Sequence, residues 1–147
     1  VLDEVTGEPL EITEDMIPVD FSDNPMYEDT FKFYDQALYD EIRNGNKDCQ
    51  EFFKLLALCH TVMCEEKDGR LEYQAQSPDE AALTSAARNF GFVFRSRTPT
   101  SITIEELGRT ETYELLAILD FNNVRKRMSV SIVLLFAVQN FFIWHFR

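Results

Sequence analysis

Glycine and proline are scarce in this chain of 147 residues, with five of each, and cysteine is scarcer still at three. No Gly-x-x-x-x-Gly-Lys stretch occurs, which removes the usual glycine-rich phosphate loop. Cys49, Cys59 and Cys64 include no Cys-x-x-Cys pair, and Cys59-His60 with Cys64 lacks a fourth zinc ligand. They read as reduced thiols, with Cys59 in an apolar helical run. Residues 1–30 contain no lysine or arginine but carry ten carboxylates between Asp3 and Asp29. A net charge of −12 argues against general nucleic-acid binding. No Ser-His-Asp or metal-ligand constellation is visible, and His60 falls in the same helical run as Cys59. Neither a catalytic residue nor a metal ligand is therefore assigned. Val1 opens into acidic sequence with no basic region before an apolar core, so no signal peptide is expected.

What is present is a globular composition, 45% hydrophobic and 13% aromatic, in a chain long enough for one real core. Residues 1–29 read as an acidic linker broken by Pro9, Pro18 and Pro25. Phe31, Tyr34, Leu38 and Ile42 recur at helical spacing over Thr30 to Arg43, and Asn44-Gly45 stops that helix. Asp48 is the expected cap of a second helix carrying Phe52, Phe53, Leu55, Leu56 and Leu58. Lys67-Asp68-Gly69-Arg70 signals a turn before a short extended piece, Leu71 to Tyr73. A third helix starts at Ser77 or Asp79, with Pro78 in its first turn and Glu80 in capping-box register with Ser77. Its small residues, Ala81, Ala82, Ala86 and Ala87, suit close approach to a sheet, and Gly91 ends it. Strands follow at Phe92 to Arg97, Ile102 to Leu107, Glu111 to Leu119 and Arg127 to Val133, with a turn over Gly108 to Thr110. Helices before strands, with short turns between the strands, predict an α+β fold with a largely antiparallel sheet flanked by helices.

The stretch Asp120-Phe121-Asn122-Asn123-Val124-Arg125-Lys126-Arg127-Met128-Ser129-Val130 follows the apolar run Tyr113 to Leu119. It sets one aromatic ring at the mouth of a basic turn. Such a ring can stack on a flat heterocycle while nearby cations face phosphates. Phe121 can equally be core packing at a strand end. If residues 125–127 are strand, Arg125 and Arg127 share one face and Lys126 takes the other. These cations can also be solvated groups that discourage edge pairing.

Together with Tyr73-Gln74-Ala75-Gln76-Ser77-Pro78-Asp79-Glu80-Ala81-Ala82-Leu83, that stretch resembles the nucleotide-binding domain of type IV P-type ATPases, the phospholipid flippases. Further matching pieces keep the family's order: Pro18 to Pro25, Phe31 to Asp35, Leu55 to Val62 and Ala86 to Phe92. The resemblance implies that Phe121 stacks on adenine and that Glu80 reaches the adenine amino group. It also implies that Lys126 reaches the phosphates. Glu80 can alternatively be a carboxylate favoured by the dipole of its helix.

The resemblance implies ATP as ligand and a parent that moves phospholipid through an aspartyl phosphate. Magnesium would act in that parent, bound by none of these residues. The expected partners are ATP, the parent's other domains, membrane phospholipid and a family-type accessory subunit, with no nucleic acid. The expected location is the cytosolic side of an integral membrane protein. The family's Asp-Lys-Thr-Gly-Thr and Lys-Gly-Ala-Asp motifs are missing. The chain is therefore expected to be a fragment that is not catalytically competent, with an incomplete nucleotide-binding domain at 30–133 and a divergent apolar tail at 134–147. From Val130 to Phe146 the apolar run holds 17 residues, short of the roughly 20 needed to span a bilayer. Beyond Val133 its side chains have no evident partners, and an open sheet edge is expected. Two alternatives to nucleotide binding are a truncated product acting as an interaction module and a peripheral membrane segment.

Overall fold

Short polar caps divide the chain into helices where the sequence offers side-chain acceptors. The computed structural model describes residues 12–13, 15–67 and 70–134, together with the backbone of 141–146. Helix α1 spans Gln36–Arg43, and the Asp35 carboxylate accepts from the Leu38 amide at 3.0 Å. It begins later than helical spacing predicts. Phe31 and Phe33 instead join a ring cluster with Phe21 and Phe90, with centroids 5.0–6.4 Å apart. Helix α2 spans Lys47–Leu58 and is capped by Asn46, whose side chain accepts from Asp48 and Cys49. Asp48, the expected cap, lies inside the first turn, where its charge suits the helix dipole.

Strands β1 (Met63–Lys67) and β2 (Arg70–Gln74) form an antiparallel hairpin. Of the expected turn, residues 68 and 69 lie outside the described ones. The hairpin is fastened to the next strand by two side chains. The Tyr73 hydroxyl donates to the Phe94 carbonyl at 2.9 Å, and Cys64 Sγ to the Arg95 carbonyl at 2.8 Å. Helix α3 spans Pro78–Asn89, with Pro78 opening its first turn as expected. Ser77 is its N-cap residue but makes no side-chain cap bond, so the expected capping box does not form. Gly91 (φ +91°) follows α3, and a Cβ there would meet Leu107 Cδ2 at 3.0 Å. The backbone angle favours glycine, and any side chain would also have to displace the end of Leu107.

The main sheet is an antiparallel meander in the order β3-β4-β5-β6-β7. Its strands are β3 (Phe92–Arg97), β4 (Ser101–Glu106), β5 (Arg109–Asn122), β6 (Arg127–Leu134) and β7 (Phe141–Phe146). The turn between β4 and β5 falls at Leu107 (φ +48°) and Gly108 (φ +87°), earlier than expected. Helices α2 and α3 pack on one face of β3, and α2 also meets β4. The core lies between, with Phe53, Leu56, Ala57, Leu58 and Ala87 against Phe92, Phe94, Ile102, Ile104, Val130 and Ile132. Alternation supplies the sheet's share: Ile102 and Ile104 on β4, then Met128, Val130 and Ile132 on β6.

Two expectations change at the chain's ends. Val19 and Phe21 are buried, at 7% and 3% exposure, so this stretch packs into the core rather than running free. Asn24 Nδ2 donates to the carbonyls of Arg88 at 2.7 Å and Asn89 at 2.9 Å, while Asn89 Oδ1 accepts from the Glu28 amide at 2.7 Å. Residues 24–28 are thereby fixed to the end of α3. At the other end β6 is not an open edge, because β7 pairs with it from Met128↔Phe146 to Val133↔Phe141.

Candidate functional site

Strand β5 is irregular where it approaches its end. Its register against β6 shifts between Leu119, opposite Ser129, and Asn122, opposite Arg127. Asp120 and Phe121 therefore share the space opposite Met128, a two-against-one bulge that re-aims side chains. The Asn122 side chain accepts from the amides of Val124 (2.8 Å) and Arg125 (3.2 Å), which closes the following turn. Phe121 stands 57% exposed at this corner.

Beneath it lies a cavity of about 430 Å³, within the size range of small-molecule sites. Phe121 and Met128 line it from the sheet, Leu56, Cys59 and His60 from the end of α2 and beyond, and Ser77, Asp79, Glu80, Leu83 and Thr84 from the start of α3. The walls are mainly apolar, and the carboxylates come from one helix start. Glu80 is half-buried; its Oε2 accepts from Thr61 Oγ1 at 2.6 Å and from the Thr61 amide at 3.4 Å. Those bonds replace the one Glu80 would have made in a capping box.

His60 is 2% exposed, just past the end of α2 rather than within it. Its Nε2 lies 2.9 Å from the Ala57 carbonyl, and its Nδ1 accepts from the Val62 amide at 3.1 Å. Burial pushes it down to about 4, so the ring is neutral at physiological pH. A neutral ring donates to Ala57 through Nε2 and accepts at Nδ1, which leaves no nitrogen for proton transfer to a ligand. Burial, with the nearby Glu80 charge, pushes the Cys59 thiol up to about 11 and keeps it protonated. The Thr84 hydroxyl is buried with no hydrogen-bond partner among the described residues.

Two of the three residues singled out in the sequence, Phe121 and Glu80, thus meet at one cavity. Lys126 does not line it. It sits in the exposed turn at φ +55°, with Nζ 3.5 Å from Asn123 Oδ1. The strand alternation expected of residues 125–127 does not occur, because only Arg127 belongs to β6. Arg125 folds back to the carbonyls of Leu119 (3.2 Å) and Asp120 (2.8 Å). Cys59, His60, Leu83, Thr84 and Met128 were not read as site residues. Their apolar or buried character resembles that of any core position, and only the early end of α2 brings Cys59 and His60 to the cavity.

Among the described residues no group of three or more His, Cys, Asp or Glu is placed to hold a metal ion. No helix among them is long and apolar enough to cross a membrane.

An antiparallel sheet under helices thus carries a mainly apolar cavity faced by an aromatic ring and a carboxylate. Residues 48–135 match the family described as P-type ATPase, cytoplasmic domain N, and the chain belongs to that family. Its relatives are phospholipid-transporting ATPases. It is 60% identical over 128 residues to phospholipid-transporting ATPase ID of Mus musculus, a match covering 86% of this chain and 11% of that protein. It is 66% identical over 113 residues to phospholipid-transporting ATPase IC of Xenopus tropicalis, covering 76% of this chain and 9% of the relative. The corresponding match to probable phospholipid-transporting ATPase IM of Homo sapiens is 60% over 121 residues, covering 82% and 10%. The chain therefore spans about a tenth of the length of these relatives.

Proposed function

We propose that this chain binds the adenine ring of ATP in the cavity between the start of α3 and the end of β5. The observation that carries the reading is that Phe121 and Glu80, far apart in sequence, line one cavity of about 430 Å³. Phe121 stacks on the base, a contact of roughly 1–3 kcal/mol. Glu80 accepts from the exocyclic amine of adenine; guanine carries a carbonyl at the equivalent position, which a carboxylate repels. Lys126, on the exposed turn after Phe121, meets the phosphates. The three residues bind and orient the nucleotide and move no proton.

In the whole protein, this domain delivers ATP to a phosphorylation domain that supplies the aspartate and holds magnesium. The energy moves phospholipid across the membrane in which the protein is anchored, with this domain on the cytosolic side and an accessory subunit alongside. The 147 residues alone bind nucleotide weakly and do not hydrolyse it. Support comes from the family match over residues 48–135 and from the names of the relatives.

Titration of ATP and GTP into the isotope-labelled chain, followed by NMR, tests the reading. The expected result is shifts around the cavity, larger for ATP than for GTP and lost in Phe121→Ala. Equal shifts in the wild type and Phe121→Ala would overturn it.

A further inference from the structure

The α2–β1 connection is held more firmly than a four-residue link requires. Arg97 Nη1 donates to the His60 carbonyl at 2.7 Å, and its Nη2 to the Val62 carbonyl at 3.0 Å. His60 and Val62 are also joined through the imidazole, and both are buried. Thr61 sits between these two fixed residues. Its backbone has little freedom, so its hydroxyl is already in place before a ligand arrives. That hydroxyl reaches Oε2 of Glu80 at 2.6 Å. The bond is short and charge-assisted, the stronger class of hydrogen bond. A glutamate in the first turn of a helix has three side-chain torsions to settle. This contact fixes the far end of all three.

We propose that Thr61 is a positioning residue that sets the cavity's choice of base. Its hydroxyl occupies Oε2 of Glu80 and holds the carboxylate so that Oε1 meets the ligand's amino group. Arg97 acts one step further out by clamping the backbone on either side of Thr61. Base selectivity is thus set by a connection outside the nucleotide's own contacts. Without the hydroxyl, only the long 3.4 Å bond from the Thr61 amide remains, and the carboxylate turns toward water and discriminates poorly between an amine and a carbonyl. The inference rests on the adenine reading above and adds to it the device that aims the glutamate.

The test measures the ratio of ATP to GTP affinity, by NMR titration of the 147-residue chain, in the wild type, Thr61→Val and Thr61→Ser. Valine keeps the β-branched shape and removes the hydroxyl; serine keeps the hydroxyl. Thr61→Val should lose about fivefold or more of the wild-type preference for ATP, as expected for removing a hydrogen bond to a charged group. Thr61→Ser should retain the preference. A purely structural role would weaken both nucleotides alike and leave the ratio intact. Should valine unfold the chain, Thr61→Cys, of similar volume and with a weak donor, must show the same loss. A valine or cysteine variant with the wild-type ratio overturns the proposal while the adenine reading stands. So does a serine variant that falls as far as valine. A wild type without preference for ATP, and unaffected by Phe121→Ala, removes the adenine reading and this inference with it.

Discussion

Phe121 and Glu80 line the same cavity, one from a bulge near the end of β5 and the other from the first turn of α3. The ring is more than half exposed, while the carboxylate is half-buried and already bonded to Thr61. Their environments predict opposite balances of stability and binding.

Phe121→Ala should lower the melting temperature far less than truncation of a buried ring, since more than half of Phe121 is exposed. It should weaken ATP binding about fivefold or more, from the loss of roughly 1–3 kcal/mol of stacking. Calorimetric melts and titration on the same samples check both halves. A large drop in Tm would return Phe121 to a core role.

Phe21→Ala should cost about 3–5 kcal/mol, the range for truncating a buried aromatic. Asn89→Ala should cost about 1–3 kcal/mol, because it strands the Glu28 amide. Urea denaturation gives both values. If residues 19–28 behaved as a linker, neither the Phe21 substitution nor deletion of residues 1–29 would shift the midpoint.

Stability should fall as the solution is acidified from pH 6.5 toward 4, through His60. Its folded value of about 4 lies below the ordinary 6.5, so between the two the unfolded chain binds the extra proton. The contribution is complete above about pH 6.5, lost as pH falls through the folded value, and on the order of 3 kcal/mol. Denaturation of the wild type and His60→Gln between pH 5 and 7 isolates it from the carboxylates. The variant should show the flatter dependence; parallel slopes would mean that His60 protonates without penalty.

A chain ending at Leu134 should melt below the full chain and associate more readily. Removing β7 would leave the β6 edge without its partner. Light scattering and thermal melts decide this. A shortened chain that melts higher would favour the view of residues 134–147 as a destabilising tail.

The parts of the fold legible in the sequence are those where one physical pattern dominates. β4 and β6 alternate apolar and polar residues, and Pro78 and Gly91 mark the ends of α3. β1 was not legible because Met63 to Lys67 has almost nothing to bury, and its place comes from pairing with β2 and from Cys64 and Tyr73 reaching β3. The start of α1 was misread because Phe31 has helical spacing yet packs better in the cluster around Phe90. At the candidate site, Phe121 is marked by its place at the mouth of a basic turn, but only family resemblance favours stacking over core packing for it, and only resemblance gives Glu80 a ligand role. Thr61 gave no signal at all: its role exists only because α2 stops at Leu58 and turns the next residues toward α3.

The bonds from Asn24 to the end of α3 set assembly order against synthesis order. Hairpins β3–β4, β4–β5 and β5–β6 join neighbours along the chain and close short loops, the contacts that form early. Asn24 must wait for partners 64 and 65 residues later. Phe21 is synthesised well before Phe90 yet is covered only when α3 and Phe90 are in place. Carboxylates crowd the sequence on both sides of Phe21, so like charge opposes contact between two copies while that ring is uncovered.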